Sequence, residues 1–470
     1  MEFRTETDFL GSAAIPSDVL WGIHTHRAVE NFGPCARRVP ESMIRAYGFV
    51  KLACLQVNAE LGYIPADKAA AVERACEEMS RGDLSAHIVV EMLQGGAGTS
   101  LNMNVNEVLA NRSLQIMGHK LGDYDVIHPL DTVNLHQSTN DTFPTALRVA
   151  AMFELNRLES STTALLEAFQ EAEKRFASVV KVGRTELMDA VPITLGREMG
   201  AYAEAFARDR WRISKCRERI RVVNLGGTAI GTGVTAPRQY IFRATDRLRA
   251  LTGLPLARSE NLVESTQNQD ALIEVAGILK ALAGDLIKVG NDLRLLSSGP
   301  RAGLAEIRLP EVQEGSSIMP GKVNPVMPEF AAQSGMAVFG LENMVSMAAA
   351  AGNLELNAFL PLACWALLSA IEILDRACRL TAERCIRGLS ANAEAAAGTL
   401  KNSLAAAVLL VPIVGHQRAS EIALDAAKRG VSLEQSVLES GVVSREQWAE
   451  LMRPERLNAL GDPTLEGGQG

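Results

Sequence analysis

The chain has 470 residues and a formal net charge of −8, with 47 Lys plus Arg against 55 Asp plus Glu. This acidic balance argues against nucleic acid or an anionic membrane as the main partner, because both attract basic surfaces. Hydrophobic residues make up 47% and charged residues 22%, a composition that excludes global disorder. At a prior of about 150 residues per domain, the length suggests roughly three domains.

The first residues and the apolar runs predict neither a secretory signal nor a membrane span. The first residues, MEFRTETDFLGSAAIP, lack a basic region followed by an apolar stretch. The longest apolar runs, such as 404–414, are shorter than the ~18 residues of a membrane span. The seven cysteines, an odd number without CxxC spacing, favour buried thiols in a reducing compartment: 35, 54, 76, 216, 364, 378 and 385. We therefore expect a cytoplasmic protein.

Helical periodicity dominates the rest of the chain. The first 140 residues mix short helical patterns with Gly and Asn clusters, and too few stretches alternate to form a β-sheet core. Five long helices are predicted at about 148–176, 197–223, 272–296, 328–350 and 363–395. The pattern predicts an all-α fold with a mixed helical domain (1–140), a central long-helix bundle (141–397) and a small C-terminal helical domain (398–470).

Apolar stripes run along the long helices. The clearest stripe alternates steps of three and four from Leu272 to Leu296. The other stripes are Leu155, Leu158, Leu165, Phe169 and Phe176; Met199, Tyr202, Phe206, Ile213 and Ile220; and Met336, Phe339, Met344 and Met347. One chain cannot cover every apolar side of such helices, so we expect association with copies of the same chain. The alternative, a monomeric solenoid, needs a fixed repeat of roughly 30 to 45 residues, and none is visible.

Four polar, glycine-punctuated segments interrupt the helical pattern: GGAGTSLNMN (95–104), HQSTNDT (136–142), GRTELMDA (183–190) and EGSSIMPGKVNP (314–325). Ser, Thr and Asn present hydrogen-bond donors without a fixed charge, and Gly exposes backbone N–H groups. Such donors suit the binding of a carboxylate in a dry pocket. Helix capping is the alternative for any single segment, but four in one chain favour a site.

Three other motifs carry little weight. The segment EGSSIMPGKV has five residues between Gly315 and Gly321 and Val323 where a phosphate loop needs Ser or Thr. The segment GTGVTA (231–236) fits a loose dinucleotide fingerprint but lies among long helices. The seven histidines form neither HxxxH nor HExxH, so we expect no catalytic metal.

Five segments closely resemble the fumarase/aspartase superfamily: GTSLNMNVNEVLANR (98–112), VNLHQSTNDTFPTALRVA (133–150), GRTELMDAVPITLG (183–196), LGGTAIGTG (225–233) and GSSIMPGKVNP (315–325). The C-terminal stretch SLAAAVLLVPIVGHQRASEIALDAA is similar to the small third domain of its fumarase and aspartase branch. The resemblance implies three all-α domains and a homotetramer with a twenty-helix core. It also implies active sites that each combine segments of three subunits.

The resemblance implies a lyase that removes a proton beside a carboxylate of a small dicarboxylic or amino acid and expels an amine or hydroxyl, without an organic cofactor. Ser316 would be the base, on a loop that closes over the substrate. The enolised carboxylate would be held by Thr99, Ser138, Thr139 and Ser317. Lys322 and Asn324 would bind the other carboxylate, and Thr185 and Asn140 would lie near the leaving group.

Cues to the substrate come from a few positions. His24, Val326 and Pro328 look more like aspartate ammonia-lyases than fumarate hydratases. Glu186 departs from the family pattern, which has His or Gln after GRT and pairs that His with a Glu at the position of Glu329. Three interpretations of Glu186 stay open. It shares a proton with a neighbouring carboxylate, Glu329, or it is ionised and favours an ammonium or a larger amine, or it has no substrate role.

The sequence therefore predicts an enzyme that converts L-aspartate reversibly to fumarate and ammonia. The alternatives are a fumarate hydratase or a lyase acting on another N-substituted aspartate. A helical scaffold that has lost activity is a further alternative, against which the intact GSSIMPGK and QSTN segments argue.

Overall fold

A computed structural model describes residues 2–33 and 36–461 of the chain. Cys35 lies outside the described residues. The predicted all-α class is confirmed, because most described residues are helical. The α-helices are Ile23–Phe32, Glu41–Glu60, Ala66–Arg81, Thr99–Met117, Thr139–Arg175, Leu195–Ile220, Arg238–Thr252, Leu262–Gln267, Asp270–Leu296, Val326–Ala350, Leu360–Thr381, Ala393–Asn402, Val411–Arg429, Leu433–Ser440, Arg445–Leu451 and Pro454–Asn458.

Short helical turns and strand pairs connect these helices. The 3₁₀ turns are Ser85–His87 and Ala405–Leu410, and the π turns are Pro129–Val133 and Ala382–Ile386. Strand Phe3–Asp8 pairs antiparallel with Gly11–Pro16, and Val180–Thr185 with Met188–Thr194. Two-residue strands pair Val222–Val223 in parallel with Ala257–Arg258, and Ile307–Arg308 antiparallel with Ser390–Ala391. Within the described ranges, no sheet exceeds two strands.

Burial explains why the long helices form. Every residue of the stripe from Leu272 to Leu296 is at most 5% exposed. The stripes along Thr139–Arg175 and Leu195–Ile220 are also buried. Phe176, which follows the first of these helices, is the most exposed stripe residue at 7%. Each fully buried leucine or phenylalanine contributes about 2 kcal/mol through removal of apolar surface from water. Packing of these stripes, rather than helix propensity, therefore stabilises the helices.

The stripe on Val326–Ala350 behaves differently. Met336 is 56% exposed, Met347 66%, and Phe339 and Met344 are about two-fifths exposed. The opposite side of the same helix is buried, with Val338 and Val345 fully covered. A single chain thus leaves one apolar side of this helix in contact with solvent.

The fifth long helix ends earlier than its sequence pattern predicts. Leu360–Thr381 is α-helical, continues through a π turn and stops before Gly388. A Cβ on Gly388 would lie 2.7 Å from the Pro310 ring, so the chain approaches its neighbour closely there. The strand Ser390–Ala391 follows, and the Asn392 side chain accepts a hydrogen bond from the N–H of Ala395 to start a new helix. The predicted 363–395 helix is therefore two helices.

The chain divides into two compact units. The first contains Met1–Glu159, Trp211–Ala281 and Ala337–Leu374; the second contains Ser160–Arg210, Leu282–Met336 and Asp375–Gly470. In the first unit, the helix Glu41–Glu60 packs against Ala66–Arg81 and Arg238–Thr252. The predicted division into three sequence segments stays a prediction.

The second unit has its own apolar cluster after residue 403. It consists of Ala406, Leu410, Ala419, Ile422, Leu433, Val437, Val443, Trp448 and Leu451. The hairpin Val180–Thr194 packs against these C-terminal elements. The Thr194 hydroxyl donates to Asn458 Oδ1 at 2.6 Å, and the Ser403 hydroxyl donates to Asp189 Oδ2 at 2.6 Å.

No single described helix is both long and apolar enough to cross a membrane. One pair bent by 68°, Ala393–Asn402 with Ala405–Arg429, passes by length and composition alone.

Candidate active site

The segment 136–142, called the HQSTNDT segment below, forms the start of the longest helix. Ser138 precedes Thr139–Arg175, and its hydroxyl accepts a hydrogen bond from the N–H of Asn140 at 3.2 Å. Its carbonyl accepts the N–H of Thr142 at 3.1 Å. Ser138 therefore caps the helix, as the capping alternative requires. Its hydroxyl proton remains available as a donor, so capping and substrate binding are compatible.

A buried polar network lies beneath this segment. Asn102 Nδ2 donates to the Thr139 hydroxyl at 3.1 Å and to Asn134 Oδ1 at 3.2 Å. Lys51, only 1% exposed, donates from Nζ to Asn134 Oδ1 and Gln137 Oε1, both at 2.9 Å. Burial lowers the pKa of Lys51 to about 8. These bonds fix the Thr139 side chain and its loop before any substrate arrives.

Thr99 is held close to the same network. Its hydroxyl donates to the Gly96 carbonyl at 2.7 Å at the start of Thr99–Met117, the helix that carries Asn102. Gly98 has a φ of +93°, and a Cβ there would lie 2.1 Å from the Phe143 ring. Only glycine allows this approach. The structure thus brings the GGAGTSLNMN and HQSTNDT segments together, as the resemblance implies.

A third segment, 225–233, joins this group. Asn140 Nδ2 donates to the Ala229 carbonyl at 2.7 Å, and Asn224 Nδ2 donates to the Asn140 carbonyl at 2.9 Å. The Asp141 carboxylate, fully buried, accepts backbone N–H groups from both segments. The segment 225–233 is therefore a backbone support for Asn140.

His24 lies in the first turn of Ile23–Phe32, positioned by a buried glutamate. Glu107 accepts the N–H groups of Gly22 and His24 at 2.8 Å and both the N–H and hydroxyl of Thr25. Burial raises the pKa of Glu107, while these donors act in the opposite direction. The backbone at His24 is thus tied to the same helix that begins at Thr99.

In the second unit, Thr185 and Glu186 lie at the exposed tip of the hairpin Val180–Thr194. Glu186 and Leu187 form the turn with φ values of +55° and +64°, where Asn-Gly is the preferred pair. The base of the hairpin is anchored by buried charges. Glu306, fully buried, lies 3.0 Å from Lys181 Nζ and accepts from Arg184 Nη2 at 2.8 Å. The tip therefore extends from a fixed base.

The GSS loop, residues 315–325, is held mainly by its own hydrogen bonds. The Ser316 hydroxyl accepts the N–H groups of Met319 at 2.9 Å and Ile318 at 3.3 Å. Gly315 N–H donates to the Lys322 carbonyl at 2.9 Å, and Asn324 Nδ2 donates to the Gly315 carbonyl at 2.5 Å. Ser317 and Lys322 are exposed. Two backbone donors aimed at one seryl oxygen stabilise negative charge on it.

Glu329 lies in the first turn of Val326–Ala350. Its carboxylate is 3.7 Å from Arg294 Nε, so a cation is its neighbour. The structure thus gives Glu329 a counter-charge, the Arg294 guanidinium. The predicted sharing of a proton with Glu186 stays a prediction.

Two groups of candidate residues emerge. Thr99, Ser138, Thr139 and Asn140 are connected in the first unit, with His24 tied to the helix of Thr99. Ser316, Ser317, Lys322 and Asn324 share one loop of the second unit, and Thr185 and Glu186 share one turn. Among the described residues, no cluster of three or more His, Cys, Asp or Glu side chains forms a metal site.

Several supporting residues escaped sequence reasoning. Lys51 and Glu306 lie in sequence typical of ordinary core or surface. Asn102 and Glu107 lie inside segments quoted above, but neither residue was singled out there. Asp141 lies within the HQSTNDT segment, but only its burial distinguishes it from a helix-capping aspartate. For Lys51 the available signal was weak: a lysine within the otherwise apolar run FVKLACL (49–55).

Comparisons with known proteins show which family the chain resembles. A family model described as a lyase matches residues 11–340, and one described as the fumarase C C-terminus matches residues 407–458. An aspartate ammonia-lyase of Bacillus sp is 41% identical over 460 residues, which cover 98% of each chain.

Solved structures of lyases also resemble this chain over nearly its whole length. A fumarate lyase:delta crystallin from Brucella melitensis superposes with a TM-score of 0.93 at 44% identity, over 97% of this chain and 100% of that chain. A class II fumarase from Schistosoma mansoni superposes with a TM-score of 0.89 at 31% identity, over 96% of this chain and 98% of that chain.

Proposed function

This chain belongs to the fumarase/aspartase superfamily of lyases, and on that premise we propose that it is an aspartate ammonia-lyase, converting L-aspartate reversibly to fumarate and ammonia by anti-elimination. Relatives that carry this name at 41 to 42% identity over nearly the whole chain support the assignment. The reaction removes a proton from the carbon beside one carboxylate and expels ammonia from the neighbouring carbon. It needs no organic cofactor, because a base and charge-stabilising donors suffice.

The base in this proposal is Ser316. The observation that carries it is the pair of N–H groups, from Ile318 and Met319, that point at the Ser316 hydroxyl oxygen. A neutral serine is a poor base, but hydrogen bonds to an oxyanion are about twice as strong as those to a neutral oxygen. The loop backbone thus favours the alkoxide, which takes the substrate proton while the C–H electron pair passes into the adjacent carboxylate. When that pair returns to form the C=C bond, the C–N bond breaks and its electrons leave with ammonia.

The two carboxylates of the substrate require different environments. The enolised carboxylate develops a second negative charge, which the hydroxyls of Thr99, Ser138, Thr139 and Ser317 would stabilise. Each such donor is worth about 3 kcal/mol in the transition state. Lys322 and Asn324 would bind the other carboxylate, while Thr185 and Asn140 would position the ammonium.

We also propose that the chain works as a homotetramer in which each site takes segments from three copies. The exposed apolar side of Val326–Ala350, with Met336 and Met347 more than half exposed, supports burial against another copy. Co-refolding Thr139→Ala with Ser316→Ala tests this arrangement. If the two residues of one site come from different chains, mixed tetramers regain about a quarter of the normal activity. No regain would refute composite sites.

A fumarate hydratase and a lyase for a larger N-substituted aspartate are the other candidates. The likeness to a class II fumarase favours a fumarate hydratase. Glu186, where the family pattern has His or Gln, favours a lyase for a larger N-substituted aspartate. Ultraviolet absorbance of fumarate, followed with L-aspartate and with L-malate separately, decides between them. We expect fumarate from aspartate alone, and silence with both substrates would reject the assignment.

The proposed location is the cytoplasm. Six cysteines in the described part of the chain are buried free thiols, as expected for a reducing compartment.

A further inference from the structure

The Asp141 carboxylate gathers backbone N–H groups from two segments that are far apart in sequence. Its Oδ1 accepts the N–H of Ser138 at 3.0 Å. Its Oδ2 accepts the N–H groups of Gly226 at 3.1 Å and Thr228 at 3.0 Å. Both oxygens are therefore occupied by backbone donors, and the side chain is fully buried. This arrangement makes Asp141 unsuitable as a proton acceptor for substrate and suitable as a connection between segments.

Among the described residues, no other charged side chain is hydrogen-bonded to both segments. Lys51, the buried cation of the same region, donates to Asn134 and Gln137. Thr228 is held at a φ of +54°, a left-handed conformation that is costly for a β-branched residue. Its N–H is one of the three donors to Asp141. The hydrogen bond to the carboxylate thus offsets local backbone strain in the segment 225–233.

The two connected segments determine where Asn140 lies. Its side chain donates to Ala229, within the segment 225–233, and its carbonyl accepts from Asn224 at the edge of that segment. Ser138 and Thr139 precede Asp141 by three and two positions. A shift of either segment therefore moves all three side chains that would meet the substrate.

We propose that Asp141 is a positioning residue, whose buried carboxylate holds the HQSTNDT segment and the segment 225–233 in one arrangement and thereby places Ser138, Thr139 and Asn140. This inference rests on the proposed function for its kinetic consequence. The structural consequence, the order of the two segments, can be measured without any substrate.

The test compares Asp141→Asn with the unmutated protein. An amide offers one acceptor oxygen and two donors to three N–H groups, so the two segments cannot keep their spacing. Hydrogen exchange should be at least tenfold faster in peptides that cover 136–142 and 225–233. Because a displacement of about 1 Å costs about 100-fold in rate, kcat for L-aspartate should fall by about that factor and KM should rise.

A matched control is Asp375→Asn. Asp375 accepts the Ser161 hydroxyl at 2.6 Å and lies outside the candidate site. We expect no change in kcat, KM or the exchange of the two segments. Two results together would overturn the proposal: a lower kcat at unchanged KM for Asp141→Asn, and faster hydrogen exchange throughout the chain. Together they indicate that a smaller fraction of the protein is folded.

If Asp141→Asn does not fold, Asp141→Ser replaces it, because serine leaves room for a water beside the N–H groups. The same exchange and kinetic changes are then expected. Failure of both variants to fold would assign Asp141 to folding and overturn the positioning role. An unmutated protein without activity on aspartate would reject the proposed function, while the exchange comparison would still decide the inference.

Discussion

The HQSTNDT segment and the GSS loop carry most of the candidate site, yet they are stabilised in opposite ways. Thr139 is 7% exposed and Asp141 fully buried, whereas Ile318 is 84% exposed. Hydrogen bonds of the first segment reach partners 37 and 85 positions away, while those of the Ser316 and Asn324 side chains span nine positions or fewer. The first is therefore positioned by the whole fold and the second by itself.

This difference suggests a division of roles. Donors that must match a developing charge need a fixed geometry, which buried long-range hydrogen bonds provide. A loop that must admit substrate and then exclude water needs freedom to move, which local hydrogen bonds allow. The loop can open as a unit and keep the N–H groups that point at Ser316. Four tests would break or sharpen this comparison.

The largest effect is expected for Ser316→Ala. Loss of a general base lowers kcat by about 10³-fold. The free energy of unfolding should stay the same, because the hydroxyl bonds only within an exposed loop. Steady-state kinetics and urea denaturation measure the two quantities. The control Ser297→Ala removes an exposed hydroxyl near the end of a helix and should change neither, and full activity of Ser316→Ala would remove Ser316 as the base.

Two glycines test the contrast in packing. Gly98→Ala adds a methyl group 2.1 Å from the Phe143 ring at a φ of +93°, and we expect a loss of about 4 kcal/mol in unfolding free energy. Gly321→Ala, in the GSS loop, meets no atom within 4 Å at a φ of +75°, and about 1 kcal/mol is expected. Urea denaturation of both variants gives the comparison. Equal losses would contradict the view that only the first region is tightly packed.

Lys322→Met addresses the cation of the loop. The loss of a hydrogen bond to a substrate carboxylate should reduce kcat/KM by about 100-fold. Stability should not change, because Lys322 is exposed. Lys401→Met, which removes a lysine from an exposed position elsewhere, serves as control. An unchanged kcat/KM for Lys322→Met would exclude Lys322 from carboxylate binding.

The smallest effect concerns pH and the buried segment. Burial raises the pKa of Asp141 to about 7 from an ordinary 3.8. The folded state then holds a proton that the unfolded state has lost, so this stabilisation is complete below pH 3.8 and lost as the pH rises through 7. From pH 5.5 to 8 the unmutated protein should lose about 2 kcal/mol of unfolding free energy relative to Asp141→Asn. A constant difference between the two proteins would show that Asp141 ionises normally.

The sequence predicted the helices well and their ends less well. Stripes such as Leu272 to Leu296 are visible because every third or fourth side chain faces the same buried side, a local property. The break near Gly388 has two local signals, a glycine just past the helical turn and Asn392 at the N-cap of the next helix, and the apolar periodicity hides both. The close approach of Pro310 to Gly388, across 78 positions, has no local signal. The exposure of Met336 and Met347 also has no local signal, because a buried apolar stripe and an exposed one have the same spacing along the sequence.

The sequence by itself determined the all-α class, the long helices and the short polar segments with candidate donors, because these depend on neighbouring residues. The tertiary structure alone decided which side chains hold those segments. Asp141 meets Gly226 and Thr228, Lys51 meets Asn134, and Arg184 meets Glu306 across 83 to 122 positions of chain. Such partners are chosen by burial, since a charge removed from water must find hydrogen bonds wherever the fold supplies them.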